Sequence, residues 1–189
     1  MAGPERNMHY VCTHAEARAL TEGPARFWVT NCGCRAGRED GECARSPVDV
    51  CLFFGNEEPG MLSPEGRANL RELSRDELAR HFALAAERGL VTRPFRNPET
   101  MEETVGVCFC CDDCCAYFLQ FDPTACDKGA SVQRTDAGSC TDCGDCVAAC
   151  YFGARTMSDE ALAVDEERCF GCGLCVAACP ERAIAMVLR

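Results

Sequence analysis

The sequence predicts an α+β protein in two parts, a small helical and irregular cysteine-rich region over residues 1–130 and a twofold repeated module over 131–189. Three observations point there. Nineteen of the 189 residues are cysteine, and they fall into groups. Helix-capping signatures alternate with short strand-like runs in the first part. The last third repeats itself: Cys140, Cys143, Cys146 and Cys150 recur as Cys169, Cys172, Cys175 and Cys179 at a constant offset of 29 residues. Such self-similarity implies two copies of one structural unit.

Thr13-His14-Ala15-Glu16 is a capping box that opens a helix through Ala17, Ala19 and Leu20, and Gly23-Pro24 ends it. Arg26 to Thr30, with Phe27, Trp28 and Val29 inside, reads as a strand leading to the first cysteine group. Ser63-Pro64-Glu65 starts a second helix, with Ser63 as N-cap and Pro64 at the first helical position. Ser74 to Glu77 forms another capping box, ahead of Leu78, Phe82 and Ala85 on one apolar face. Gly89 stops that helix, and Leu90-Val91-Thr92 reads as a short strand. These helices are expected to be a scaffold for metal sites, with no chemistry of their own.

Composition narrows the class. Ile and Trp occur once each, at Ile184 and Trp28, so hydrocarbon alone gives a thin core. No apolar run approaches the roughly 18 residues of a membrane span. The first 22 residues carry no export signal, and the cysteine count is odd, which argues against a secreted disulfide framework. A cytoplasmic chain with reduced, metal-binding thiols is expected. The net charge of −11 argues against nucleic acid and suits docking on a basic partner surface.

Each unit of the repeat reads Cys-x-x-Cys-x-x-Cys-x-x-x-Cys. Three thiolates wrap one iron–sulfur cube, and the fourth points toward the sister cube. The expected sets are therefore crossed: Cys140, Cys143, Cys146 and Cys179 for one cluster, Cys169, Cys172, Cys175 and Cys150 for the other. A zinc ribbon would need two Cys-x-x-Cys pairs separated by a longer loop, and zinc saturates at four thiolates. Cys32, Cys34, Cys43 and Cys51 supply four thiolates for a third site, an iron–sulfur cluster or one zinc, on a loop that Gly37, Gly41 and Pro47 let fold back. Arg35 is placed either beside that site or in a surface salt bridge. In the run Cys108 to Cys115, the residues Cys108, Cys111 and Cys114 repeat the tail's spacing. A fourth site is assigned to them with Cys126, although Cys12, Cys110 and Cys115 are also within the pool. A non-cubane cluster, zinc or a redox-active dithiol are the other readings of this run. Four 4Fe–4S clusters would use sixteen thiolates and about sixteen irons, leaving three cysteines over.

Residues from about 134 to 189 resemble the bacterial two-cluster 4Fe–4S ferredoxin family, with Pro180 after the last ligand and Tyr151 at the equivalent place in the first unit. The resemblance implies a βαββαβ-like core and one-electron transfer at low potential. The whole chain also resembles multi-cluster ferredoxin-like iron–sulfur proteins of anaerobic bacteria. The shared features are Cys-x-Cys-Arg at Cys32–Arg35, Cys-Leu-Phe-Phe-Gly at Cys51–Gly55, a helix ending in Gly89-Leu90-Val91, and the dense cysteine run.

The expected function is a one-electron carrier with no catalytic residues, or an electron-transfer subunit of an oxidoreductase, working with a flavoprotein or larger reductase complex. No Gly-x-Gly-x-x-Gly element or Walker loop is present. His9, His14 and His81 lack metal-ligand or triad spacing and read as surface or helix residues. Two alternatives stand beside the carrier: a reductase whose Cys108–Cys115 segment holds a substrate-binding cluster, and a zinc or iron structural or storage protein.

Overall fold

The computed structural model describes residues 6–38, 43–45 and 47–189. Gly41, expected to flex the loop before Cys43, lies outside the described residues. The chain is α+β. Helix α1 (His14–Ala19) starts at Thr13, whose hydroxyl accepts the Glu16 N–H while the Glu16 carboxylate accepts the Thr13 N–H. Strand β1 (Arg26–Thr30), helix α2 (Gly33–Ala36) and strand β2 (Cys51–Gly55) follow. Helix α3 (Pro64–Ala68) is capped by Ser63. After β3 (Arg71–Leu73), helix α4 (Arg75–Glu87) opens with the complete Ser74–Glu77 capping box. Strands β4 (Val91–Arg96) and β5 (Thr104–Cys110) and helix α5 (Ala116–Leu119) complete this part.

A sheet, and not the helices, organises the first part. Its order is β3-β1-β2-β5-β4, antiparallel throughout. This corrects the expectation of a helical scaffold, and the reason is visible strand by strand. Phe27 and Val29, Leu52 and Phe54, and Val107 and Phe109 all face one side, where Ala17, Leu78, Phe82 and Ala85 of α1 and α4 cover them. Burying each such phenylalanine contributes about 1.5–3 kcal/mol. Trp28, Phe53 and Phe95 form a smaller core on the other face, packed by Leu62 and Leu70. In β2 and β5 the period-2 signal is masked because Cys51, Cys108 and Cys110 occupy alternating positions, where a sequence reader sees ligands before strands.

The segment before α1 ties the sheet to the rest of the chain. His9 and Cys12 bridge Phe95 and Thr92 on β4, while Tyr10 bridges Asp127. Glu16 reaches further and accepts the Ser131 hydroxyl at 2.8 Å.

The last part contains β6 (Ser131–Thr135), α6 (Asp145–Ala148), β7 (Arg155–Ser158), β8 (Ala161–Val164), α7 (Leu174–Ala178) and β9 (Ile184–Leu188). β6 pairs with β9 and β7 with β8, both antiparallel. The repeat is carried by the backbone as well as by the cysteines. Gly144 and Gly173 cap α6 and α7 with φ of 81° and 78°, and Asp142 and Gly171 take φ of 53° and 87°. Among the described residues, no helix is long and apolar enough to cross a membrane.

Candidate metal centres

In the repeat, Cys140, Cys143, Cys146 and Cys179 line one cavity of about 20 Å³, and Cys150, Cys169, Cys172 and Cys175 line another of about 20 Å³. The backbone N–H of Ala154 donates to Cys150 Sγ at 3.3 Å, and that of Ala183 donates to Cys179 Sγ at 3.3 Å, at matching places in the two units. Arg155, 2% exposed, stands between the sets. Its guanidinium donates to Cys146 Sγ at 3.3 Å, faces Cys175, and is held by Gln133 and Thr135. Four thiols around each cavity, N–H groups aimed at sulfur and a buried cation fit a 4Fe–4S cluster, whose thiolate-ligated core is anionic. The sets differ in exposure: Cys143 is exposed, whereas Cys169, Cys172 and Cys175 are buried. Burial pushes Cys172 up to about 12 and Cys175 up to about 11, so metal binding there displaces protons.

The other cysteines are regrouped across the sequence. Cys32, Cys34 and Cys51 line a cavity of about 150 Å³ together with Cys108, Cys110 and Cys115. Cys34 contacts Cys32 and Cys115, and Cys115 contacts Cys110. Cys108 contacts Cys51 and lies 3.8 Å from His9 Nε2. Cys43, expected with Cys32, Cys34 and Cys51, stands instead with Cys111 and Cys114. The expected set Cys108, Cys111, Cys114 and Cys126 divides in the same way, with Cys126 beside Arg93. The cause is β5. Cys108 lies in the ladder opposite Arg93, so the Cys-x-x-Cys-x-x-Cys run is a strand followed by a turn and not one loop around one metal.

Two buried arginines face these thiols. Arg93, 6% exposed, places Nη1 3.7 Å from Cys110 Sγ and 3.8 Å from Cys115 Sγ, with its guanidinium over the Tyr117 ring. Arg35, 3% exposed, donates to the Phe109 carbonyl at 2.9 Å and to Cys111 Sγ at 3.7 Å. Neither pairs with a carboxylate among the described residues. A hydrogen bond with Cys115, aided by Arg93 and opposed by burial, brings Cys110 down to about 7. Burial pushes Cys43 up, yet Arg35, the Arg45 N–H and the thiols of Cys114 and Cys111 together hold it at about 7. Burial, then the Arg93 charge, lowers His9 to about 4, which leaves a neutral imidazole lone pair for a metal.

His9 and Arg93 are thus the site residues that spacing alone passed over, while Cys110 and Cys115, which spacing left in the pool for the fourth site, line the third cavity. One sequence signal was available: Cys108 and Cys110 are two apart, which puts both on one side of a strand. Cys12, 4% exposed, packs in the core under α1 with Sγ 3.8 Å from Thr92 Oγ1, and burial raises its thiol to about 12. It lines none of the three cavities. Cys12→Ala is expected to leave iron and sulfide content unchanged while costing about 1–2 kcal/mol of stability. Loss of iron in that variant would make Cys12 a ligand.

The site chemistry and the repeated backbone mark the C-terminal region as iron–sulfur and ferredoxin-like. Residues 139–183 match the family model of the 4Fe-4S dicluster domain, which supports 4Fe–4S cluster binding there. No curated protein matches the chain.

Proposed function

We propose that the chain is a low-potential one-electron carrier with three cluster sites in line: an outer set at Cys140, Cys143, Cys146 and Cys179, an inner set at Cys150, Cys169, Cys172 and Cys175, and a third in the 150 Å³ cavity. When bound, each 4Fe–4S cluster supplies a one-electron couple. The residues of the chain set access, shielding and order. Exposed Cys143, ringed by exposed Asp142, Asp145 and Glu181, offers an acidic docking edge for a basic redox partner, a flavoprotein or a larger reductase. Buried Cys169, Cys172 and Cys175 exclude water from the inner site. Arg155 favours the more negative, reduced state of both sites in the repeat. We place this activity in the cytoplasm, where thiols stay reduced.

One observation carries the reading. Cys110 and Cys115 of the first part share a continuous apolar core with Cys172, Phe152 and Phe170. Phe152 and Phe170 stack at 4.5 Å, Phe118 meets Phe152 at 5.2 Å, and Tyr117 meets Phe118 at 5.1 Å. Tyr117 also lines the 150 Å³ cavity. Packed atoms therefore join the inner set to the third site. Anaerobically purified protein is expected to be brown, to hold about twelve irons and twelve sulfides, and to bleach and recover through reduction and reoxidation. Colourless protein, or colour without reversible reduction, would end this reading.

A reductase is the second reading. The third cavity is roomier than the other two, and His9 offers a ligand that is not a thiolate. Buried Arg35 and Arg93 would favour a small anionic substrate. An electron paramagnetic resonance signal that shifts when a small oxyanion is added would favour this reading over the plain carrier.

A further inference from the structure

Three sulfurs at the edge of the third cavity, which Cys114 helps to line, cluster within 4.8 Å of one another. Cys43, Cys111 and Cys114 place their Sγ atoms 3.1, 3.4 and 3.5 Å apart. Among the described residues, no other three potential ligands lie within 4.8 Å of one another. The two sets in the repeat, where each thiol must reach a separate iron, are spread more widely. Zinc–thiolate bonds of about 2.3 Å put the sulfurs of a tetrahedral site about 3.8 Å apart, so the trio needs to open by well under 1 Å.

The surrounding chain builds this arrangement deliberately. Cys111 and Cys114 are the two ends of the turn that follows β5, and both are buried. The two aspartates inside that turn clamp the segment carrying Cys43. Asp112 takes Arg45 in a two-point ion pair at 2.5 and 2.9 Å, and Asp113 accepts the Ala44 N–H at 2.9 Å and pairs with Arg38 at 3.2 Å. Occupied in this way, the carboxylates hold the chain in place while the sulfurs face one another. Arg35 then supplies the charge balance. Its Nε and Nη1 atoms are buried and, among the described residues, have no hydrogen-bond partner. Three thiolates around a divalent ion carry one net negative charge, which one guanidinium cancels. A monovalent ion would leave a buried charge uncompensated.

We propose that Cys43, Cys111 and Cys114 form a mononuclear site for a thiophilic divalent ion, zinc, separate from the iron–sulfur clusters. On binding, the three thiols lose their protons and supply three of the four tetrahedral positions. Zinc does not change oxidation state, so the site staples residues 43–45 to the turn at 111–114 and takes no part in electron transfer. Cys114 also lines the 150 Å³ cavity, so the staple forms part of that cavity's wall.

Zinc, iron and sulfide counted on anaerobically purified full-length protein test this. Wild-type protein is expected to hold about one zinc, and Cys111→Ser to lose it with iron and sulfide unchanged. Cys43→Ser, at a half-buried position, is the companion variant should Cys111→Ser not fold, and the same outcome is expected. Absence of zinc from wild-type protein would overturn the assignment. So would retention of zinc in both variants, or a fall of about four irons in either, which would return these thiols to a cubane. None of these results depends on reduction and reoxidation, so the staple and the carrier reading stand or fall separately.

Discussion

Cys172→Ala is expected to remove about four irons and four sulfides per chain and to unfold the C-terminal region, whereas Cys143→Ala is expected to remove a similar amount of iron and leave the fold standing. The difference follows from where the two thiols sit. Cys172 is 9% exposed and belongs to the core that includes Phe152, Phe170, Cys110 and Cys115. Removing its cluster leaves a hole in the packed contact between the two parts of the chain, and the binding energy of the metal is itself folding energy. Cys143 is exposed, and its cavity opens beside Asp142 and Glu181. Water can fill the space left by the outer cluster. Iron and sulfide analysis with thermal unfolding under anaerobic conditions checks both variants. Equal loss of stability in the two would contradict the inner and outer assignment.

A single methyl group is expected to do comparable damage at Gly171. Its φ is +87°, which costs a non-glycine residue about 1–3 kcal/mol. A Cβ there would also stand 2.2 Å from the Ser131 carbonyl oxygen and 3.2 Å from the Ser131 carbonyl carbon. Those are backbone atoms of β6, which is paired to β9 along its length, so they have little room to move. Gly171→Ala should therefore displace the loop between Cys169 and Cys172 and lose the inner cluster. Gly144→Ala is the control. It has a similar φ of +81°, but the nearest atom to its Cβ is the Met157 sulfur at 3.5 Å, at the far end of a flexible side chain. That variant should keep its iron and lose only the conformational term. A Gly171→Ala protein with full iron and unchanged unfolding temperature would show that the loop is softer than its contacts indicate.

The legible parts of the sequence were those whose signals are local. The Thr13 and Ser74 capping boxes, the Ser63-Pro64 helix start and the β1 run are all present as written. A cap is made within one turn of chain, so it survives whatever packs around it. The sheet was harder to see. Cys51, Cys108 and Cys110 sit in β2 and β5, and a thiol can be read as a ligand or as a small apolar strand residue. Pairing between β2 and β5 joins residues more than fifty positions apart, which no local pattern encodes.

By itself, the sequence determined the repeat in the last third and its ligand spacing, because spacing within a tight loop limits where neighbouring ligands can point. Tertiary structure alone decided how the remaining cysteines are shared out. Contacts of Asp112 and Asp113 with residues 44–45 hold Cys43 beside Cys111 and Cys114, and strand pairing brings Cys51 and His9 to Cys108. Ligands that meet across strands are chosen by hydrogen-bonded pairing and side-chain burial over long stretches of chain, and neither leaves a mark in the spacing of the cysteines.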